Sequence, residues 1–537
     1  MRTLATYVVL PLLFIASNLP AQTKQSDTTG TSPSAPASKA EVDELREEVS
    51  EQRKTIEELK TLVQQLAATK AAENSAPRIE PASATLQPAS QPTGSGDTAH
   101  LVNTVLVQPD PPETAVIDQA QPAAPKKDAP LTAGWNGEHF FIRSPDGQFS
   151  ISPYGYVDTD YRAYKGDGAP SDTFLVRRAR FGFQGNYGSH FDFALLTDAN
   201  ATTGAIVRDV YLNVRIRPEF QFQAGQFKEP FAQETGIGAT NLDFVERGLQ
   251  ALLYPCNVTA FRCPGVTLHG DIDGGVVQYW AGAFNGRGGV TANVVNEPEF
   301  VGRIRLYPWR KSKNEWFRQF ALGGSIAHAR ARGLSGDVNF SGQIPDAAYT
   351  FFPQLRINGP IERYEGEFTY IKSSFALRGE YVQVQEQRDG VGSEQLGGLG
   401  FLTLPGIGAK AWNIGTTYLL TGEKRPENGT PRVKHPLFGP DTPGGTGRGW
   451  GAFELGVRYS GIQANAPASN FLNFYTPGYV SQYDYHTDQF TFGINWYLNY
   501  WVKYQFNVNI DRLKQPSVTG QVPQDFTVLM QELQFRF

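Results

Sequence analysis

The sequence predicts an all-β protein whose main domain is a sixteen-stranded antiparallel transmembrane β-barrel. The composition is the first indication, because 35 Phe, 23 Tyr and 55 Gly accompany only 2 Cys and 2 Met in 537 residues. Apolar residues also recur at every second position in runs of about ten residues, the length of a tilted strand that crosses a bilayer. Finally, the chain stops on Phe537 inside such a run, with no polar tail.

Charge and motifs exclude several other classes of protein. The formal net charge of −5 lacks the basic excess expected of a protein that binds nucleic acid. After the N-terminus, no apolar run reaches the roughly 18 residues of a spanning helix. The histidines are scattered, no serine elbow is present, and the glycine clusters lack the strand-to-helix context of a phosphate loop. We therefore expect no enzyme, no cofactor and no metal site.

The first element is a predicted signal peptide at residues 1–21. Arg2 supplies the positive start, an apolar run extends from Leu4 to Ile15, and Ala21 is a suitable residue before the cleavage site. The run is too short to span a bilayer as a helix. The alternative is a short membrane anchor.

A coiled coil is predicted at residues 41–69. Apolar residues repeat every seven positions through four heptads, with one polar position: Val42, Val49, Ile56 and Val63, interleaved with Leu45, Gln52, Leu59 and Leu66. The alternative is a single amphipathic helix that lies on another surface. Residues 70–133 are rich in Pro, Ala, Ser and Gln and cannot bury enough apolar surface to fold, so they are predicted to be a disordered linker.

The barrel is predicted to occupy residues 134–537, where the apolar periodicity becomes two. Near the C-terminus, Phe490, Phe492, Ile494 and Trp496 alternate with Thr491, Gly493, Asn495 and Tyr497. A soluble β-sandwich also alternates, but long aromatic-rich rows favour strands that face lipid. Because lipid offers no partner for backbone N–H and C=O groups, such a sheet has to close on itself.

Sixteen strands are expected, and an even number places both barrel termini on the same side of the membrane, which we take to be the periplasm. The predicted starts lie near residues 148, 174, 190, 207, 219, 265, 275, 300, 317, 361, 374, 410, 450, 487, 501 and 525. Shifted boundaries would give fourteen or eighteen strands instead.

If the apolar positions face lipid, the alternate positions line a water-filled lumen. The basic residues assigned to the lumen by this rule are Arg178, Arg180, Arg215, Arg303, Arg305, Arg378, Arg458, Lys503 and Arg536. Nearly as many acidic residues share this face, so selectivity would require the two signs to be separated in space. The alternative is that arginines and carboxylates pair across strands and stiffen the wall.

Six short segments resemble the phosphate-selective porin family of bacterial outer membranes, the O and P type. They begin at Arg177, Arg208, Gly225, Phe244, Tyr418 and Trp450, and their order and spacing extend the resemblance over about 170–537. The resemblance implies a trimer of sixteen-stranded barrels that conducts phosphate or other small anions. It also implies an inward-folded third extracellular loop, here from about Glu229 to Pro264, and an arginine ladder for which Arg178, Arg180 and Arg215 are candidate rungs.

The sequence departs from the family within this loop. Many members carry a basic residue where this chain has Ala239-Thr240-Asn241, and the acidic Asp243 follows. Lys228 and Arg247 are the candidates to supply the missing positive charge; otherwise the channel is a more general one. Cys256 and Cys263 lie in the same loop and are predicted to form a disulfide after export, with metal binding as the weaker alternative.

These features together predict an outer-membrane channel for passive diffusion of small anions through a lipid bilayer, with Arg178, Arg180, Arg215, Lys228, Arg247, Arg303 and Arg305 as the anion-binding residues. The basic segment 422–449 is expected at the periplasmic end, either as an anion sink or as a solvated loop. One alternative function is an envelope tether, in which the coiled coil binds the cell wall or another envelope partner. Another is a general or sugar porin of the same build.

Overall fold

The structure of the chain is a computed structural model. It describes residues 130–135, 139–200, 207–256, 259–286, 297–331, 339–343, 345–391, 402–438, 449–466, 483–514 and 524–537. The predicted signal peptide (1–21), the predicted coiled coil (41–69) and the predicted linker as far as residue 129 lie outside these described residues.

Sixteen antiparallel strands form a closed barrel. They are β3 Phe149–Lys165, β4 Thr173–Tyr187, β5 Phe191–Asp198, β6 Val207–Arg217, β7 Phe220–Lys228, β8 Arg262–Ile272, β9 Val277–Phe284, β10 Glu299–Leu306, β11 Phe320–Ala331, β14 Gly359–Lys372, β15 Phe375–Val391, β16 Leu402–Leu419, β17 Ala452–Ala466, β18 Tyr483–Tyr497, β19 Val502–Lys514 and β20 Gln524–Arg536. The barrel closes where β20 pairs with β3, for example at Met530 opposite Arg162. The predicted fold class and strand number are confirmed.

Two hairpins accompany the barrel, and neither was predicted from the sequence. Strands β1 (Thr132–Trp135) and β2 (Phe140–Arg143) pair with each other, and β2 continues the sheet beside the first residues of β3. Strands β12 (Asn339–Gln343) and β13 (Thr350–Arg356) form a separate two-stranded sheet in the connection between β11 and β14.

The barrel has its polar side chains inside and its apolar side chains outside. On β4, Arg178 and Arg180 are buried, whereas Phe181 and Phe183 are 47% and 38% exposed. The same contrast holds on β20, where Glu532 is buried and Leu533 and Phe535 point outward. Because soluble proteins bury apolar side chains and expose charged ones, this reversed pattern suits a wall that faces lipid.

Connections alternate between a long-loop end and a short-turn end of the barrel. At the short-turn end, strands are joined by tight connections such as 218–219 and 373–374, and both termini of the barrel lie there. Two segments enter the lumen from opposite ends. We call residues 229–261, between β7 and β8, the inner loop, and residues 420–438, which follow β16 at the short-turn end, the turn segment.

In the part of the chain that the structure describes, no helix has both the length and the apolar character needed to cross a membrane.

Candidate functional site

The inner loop crosses the lumen as a compact, irregular segment. It contains three short helical turns, Gln233–Gly236, Ala239–Asn241 and Leu249–Leu253. Its apolar side chains Phe231, Leu249 and Tyr254 are buried. Cys256 and Cys263 form a disulfide with their Cα atoms 6.2 Å apart, which ties the end of the loop to β8.

Side chains of the barrel wall accept hydrogen bonds from backbone N–H groups of the inner loop. The backbone N–H of Glu234 donates to Glu380 Oε1 on β15 at 2.8 Å, and that of Val245 donates to Asn507 Oδ1 on β19 at 2.7 Å. The N–H of Leu249 donates to Ser460 Oγ on β17 at 2.8 Å. A buried irregular segment needs such partners because it has no ladder of its own. Polar residues on the inward face therefore position the loop as well as line the lumen.

The two cations proposed to compensate for the departure from the family pattern bind the loop backbone. Lys228 Nζ donates to the carbonyl oxygen of Ile237 at 3.0 Å, and Arg247 Nη2 donates to the same oxygen at 2.7 Å. On β19, Lys503 Nζ donates to the carbonyl of Thr240 at 2.9 Å. These three cationic side chains therefore hold the backbone of the inner loop in place at residues 237–240.

The three candidate rungs of the arginine ladder are all ion-paired. Arg178 lies 2.9 Å from Asp158 and 3.4 Å from Glu532 (N–O distances), and Arg180 lies 2.9 Å from Asp198. Arg215 pairs with Asp192 at 2.9 Å near the short-turn end, and its side chain is 37% exposed. This arrangement matches the pairing interpretation, in which the two signs alternate along the wall.

A carboxylate of the inner loop joins the loop to the first two barrel strands. Glu246 Oε1 accepts from Arg162 at 2.6 Å and from Arg177 at 2.7 Å, and Glu246 Oε2 lies 3.7 Å from Arg178 Nη2. Burial opposes ionisation, but the guanidinium groups outweigh it and hold the pKa of Glu246 well below its usual range. Glu246 is therefore a permanent anion in a ring of cations.

Three arginines converge on a small recess in the lumen, which we call the arginine recess. Arg303 and Arg305 come from β10 and Arg378 comes from β15; Gln233, Tyr307, Glu427 and Asn428 also line it, and its volume is about 30 Å³. Arg303 Nη2 donates to both oxygens of Glu367 at 2.8 Å. Among the described residues, Arg303 Nε and Nη1 and Arg378 Nε have no acceptor, although both side chains are buried. Three guanidinium groups on one recess provide the charge and the type of donor that suit an anion.

The turn segment supplies the remaining groups of the recess. Glu427 Oε1 accepts from Arg305 Nη1 at 2.6 Å and from the Tyr307 hydroxyl at 2.7 Å. Arg425 binds both Asp243 of the inner loop and, with an N–O distance of 3.2 Å, Glu454 of β17. The sequence placed this segment outside the barrel, but its described part enters the lumen. The sequence signal for this insertion was the length of the segment, because most other connections at this end of the barrel are tight turns.

Carboxylates on β14 and β15 balance the charge of the recess. Oxygen atoms of Glu365, Glu367 and Glu380 lie within 4.8 Å of one another. Glu367 is bonded to Arg303, whereas Glu380 accepts from the amide of Gln250 at 3.0 Å. At this level of the lumen, positively and negatively charged side chains are therefore intermixed.

A family model described as phosphate-selective porin O and P matches residues 153–537 of the chain. The chain belongs to this family. As a member of a porin family with a closed sixteen-stranded barrel, this porin is an outer-membrane channel, and nothing in that assignment points to an enzyme.

Several solved structures are similar to this porin. OmpT of Vibrio cholerae is 11% identical, with 73% of this chain and 98% of that chain covered and a TM-score of 0.45. The channel DcaP of Acinetobacter baumannii is 11% identical, with coverages of 74% and 99% and a TM-score of 0.43. OmpF of Salmonella typhi is 11% identical, with coverages of 75% and 100% and a TM-score of 0.41. A comparison with curated proteins finds no match.

Proposed function

We propose that this porin is a passive channel for small anions, with phosphate or polyphosphate as the first choice, and that the arginine recess is where they bind. The observation that carries the proposal is the convergence of Arg303, Arg305 and Arg378 on one recess beside the inner loop. Arginine stays charged at every relevant pH, and its planar fork matches an oxyanion. An anion can therefore bind and leave without any proton change.

The expected preference for anions is moderate. Arg178, Arg180 and Arg215 are each paired with a carboxylate, so they contribute to the field of the lumen less than free cations would. Asp243, which follows the departure from the family pattern, accepts from both Arg378 and Arg425. Weak binding at a partly neutralised site suits conduction, because a channel must also release its solute.

Planar-bilayer recordings test the proposal. In a KCl gradient, the reversal potential should show that chloride is preferred over potassium, and added phosphate should block the chloride current in a concentration-dependent way. Arg303→Gln should raise the half-blocking phosphate concentration by about tenfold, because a charge-assisted bidentate contact is lost. Arg303→Lys should lie between this variant and the wild type.

Arg217→Gln is the matched control, since Arg217 is an exposed arginine at the end of β6. It should leave phosphate block unchanged. A cation preference of the wild type would overturn the proposal, and block that is unaffected by Arg303→Gln would remove the recess from it. We further expect a homotrimer, as the family resemblance implies, which cross-linking of the purified porin would check.

The heptads at residues 41–69 favour a second role as an envelope tether, with the N-terminal segment in the periplasm. Deletion of residues 22–130 separates the two roles. A channel without this segment should conduct as the full chain does, whereas a tether would lose its attachment to the cell wall or envelope partner. Retention of the deleted porin with peptidoglycan would speak against the tether.

A further inference from the structure

We propose that Glu427 is a built-in anion that occupies the arginine recess from the short-turn end and competes there with solute anions. This inference rests on the proposed function, because it concerns how that same site is regulated. It assigns the turn segment a role as an intramolecular competitor, and it makes the affinity of the recess depend on one carboxylate.

The contacts of Glu427 are those that a solute oxyanion would make. Its Oε1 accepts from Arg305 Nη1 at 2.6 Å and from the Tyr307 hydroxyl at 2.7 Å. Its backbone carbonyl accepts from Arg378 Nη2 at 2.8 Å. One residue of the turn segment thus engages two of the three arginines of the recess.

Glu427 is ionised at neutral pH. Burial opposes ionisation, but Arg305 and the hydrogen bond from Tyr307 outweigh it and hold the pKa of Glu427 below its usual value. A carboxylate that is held anionic by the cations around it has the charge and the oxygen geometry of the ligand that these cations would otherwise bind.

Specific contacts hold the turn segment inside the lumen, both at its base and at its tip. At the base, Ser374 Oγ donates to the carbonyl of Glu423 at 2.7 Å. At the tip, Asn241 Nδ2 donates to Asn428 Oδ1 at 3.3 Å, and Arg425 binds Asp243. The tip therefore meets the inner loop inside the lumen and carries Glu427 to the recess.

The position of Glu427 in the recess also supports competition. Glu427 is one of the residues that line the recess, and its carboxylate already binds Arg305 and the Tyr307 hydroxyl there. A phosphate oxygen that binds these same donors needs the position that the Glu427 carboxylate holds. Binding of the solute therefore requires displacement of Glu427, which weakens the apparent affinity and speeds release.

The experiment compares phosphate block of chloride conductance in planar bilayers for the full-length wild type, Glu427→Gln and Glu219→Gln. Glu219 lies exposed in the connection between β6 and β7 at the same end, so it undergoes the same change of charge away from the recess. Glu427→Gln should lower the half-blocking phosphate concentration by about tenfold, because one competing charge is removed. Glu219→Gln should stay at the wild-type value.

Ser374→Ala removes only a hydroxyl that holds the base of the turn segment, away from the recess, so it should lower the half-blocking concentration by about twofold. It carries the test even if Glu427→Gln assembles poorly; heat-modifiable migration in gels reports assembly of each variant. An unchanged or higher half-blocking concentration in both variants would overturn the inference. An equal rise of potassium and chloride currents in Glu427→Gln, with unchanged phosphate block, would overturn it too, because the segment would then be a steric plug.

The outcome for the wild type separates the two proposals. A cation-selective wild type would overturn the proposed function. A wild type that prefers anions and is blocked by phosphate, together with variants that behave like it, would overturn only the role of Glu427.

Discussion

The inner loop and the turn segment enter the same lumen from opposite ends, yet they are held there by different interactions. The inner loop has buried apolar side chains such as Phe231 and a disulfide to β8, in addition to the ion pairs of Glu246 and the hydrogen bonds of its backbone N–H groups. The tip of the turn segment is held mainly by charged groups, with Arg425 on Asp243 and Glu454, and Glu427 on Arg305.

This difference indicates which part of the constriction is fixed and which part responds to ions. The apolar contacts and the disulfide of the inner loop do not depend on the anions in the channel, so they hold the loop even where a carboxylate such as Glu246 is also an anchor. Contacts between a carboxylate and an arginine do, because a solute anion can replace the carboxylate. We therefore regard the inner loop as the fixed frame of the lumen and the turn segment as its exchangeable part.

The largest effect is expected from Asp243→Asn, which would break the link between the two segments. Asp243 accepts from both Arg378 and Arg425, and loss of its charge leaves Arg378 with only the backbone carbonyl of Glu427 and Arg425 with Glu454. Removing one partner of a buried pair costs about 3–5 kcal/mol, enough to expel the tip of the turn segment. We expect a several-fold larger single-channel conductance. Asp273→Asn, in an exposed turn, is the control, and wild-type conductance in Asp243→Asn would contradict the prediction.

A smaller effect is expected from the double substitution of Cys256 and Cys263 by Ser, which acts on the inner loop alone. Loss of a disulfide that closes so short a ring should destabilise the loop by about 2–3 kcal/mol in the chain-entropy model. The temperature at which the barrel unfolds in detergent should fall and current noise should rise. Phosphate block should change little, because the arginine recess and Glu427 are untouched. A shift in block as large as that of Glu427→Gln would refute the division between the two segments.

The inner loop should also respond modestly to pH through Glu234. Burial and the neighbouring Glu380 raise the pKa of Glu234 to about 7, so the folded loop favours the protonated form. This stabilisation is fully present below the usual carboxyl pKa and is lost as the pH rises through about 7. Current noise should therefore increase between pH values of about 6 and 8. Glu234→Gln should show low current noise at both pH values. If the noise of this variant still increases with pH, Glu234 is not the cause of the pH dependence.

The smallest effect is expected from Arg215→Gln, at the exposed rim of the short-turn end. Its pair with Asp192 is partly open to solvent, and such pairs contribute only about 0–1 kcal/mol. Conductance and phosphate block should stay within about twofold of the wild type. An effect as large as that of Arg303→Gln would show that the field at the rim, rather than the arginine recess, sets the anion preference.

Much of the barrel could be predicted from the sequence because a strand places alternate residues on opposite faces. This rule correctly put Arg178 and Arg303 inside and Phe181 outside. Most predicted starts lie within a few residues of the observed ones. The largest difference is β16, which begins at Leu402 rather than near residue 410. Pro405 and the nearby glycines hid its first residues, since both residue types are disfavoured within strands.

The candidate site was less predictable, because the partners of its charges lie far away in the sequence. Arg178 meets Glu532 from the last strand, and Arg378 meets Asp243 from the inner loop. Alternation shows that a side chain faces the lumen but not which residue stands opposite it. The nearly equal numbers of basic and acidic positions were therefore compatible with separated signs as well as with mutual pairing.

By itself, the sequence determined that the chain forms a closed barrel with lipid-facing aromatics and a polar interior, because the period-two pattern is local and each strand carries it independently. Only the tertiary structure decided that Lys228 and Arg247 hold the inner loop and that Glu427 lies on Arg305. The sequences of the inner loop and the turn segment show no apolar periodicity from which their structure could be predicted. Their positions follow from side chains that come together only when the barrel closes.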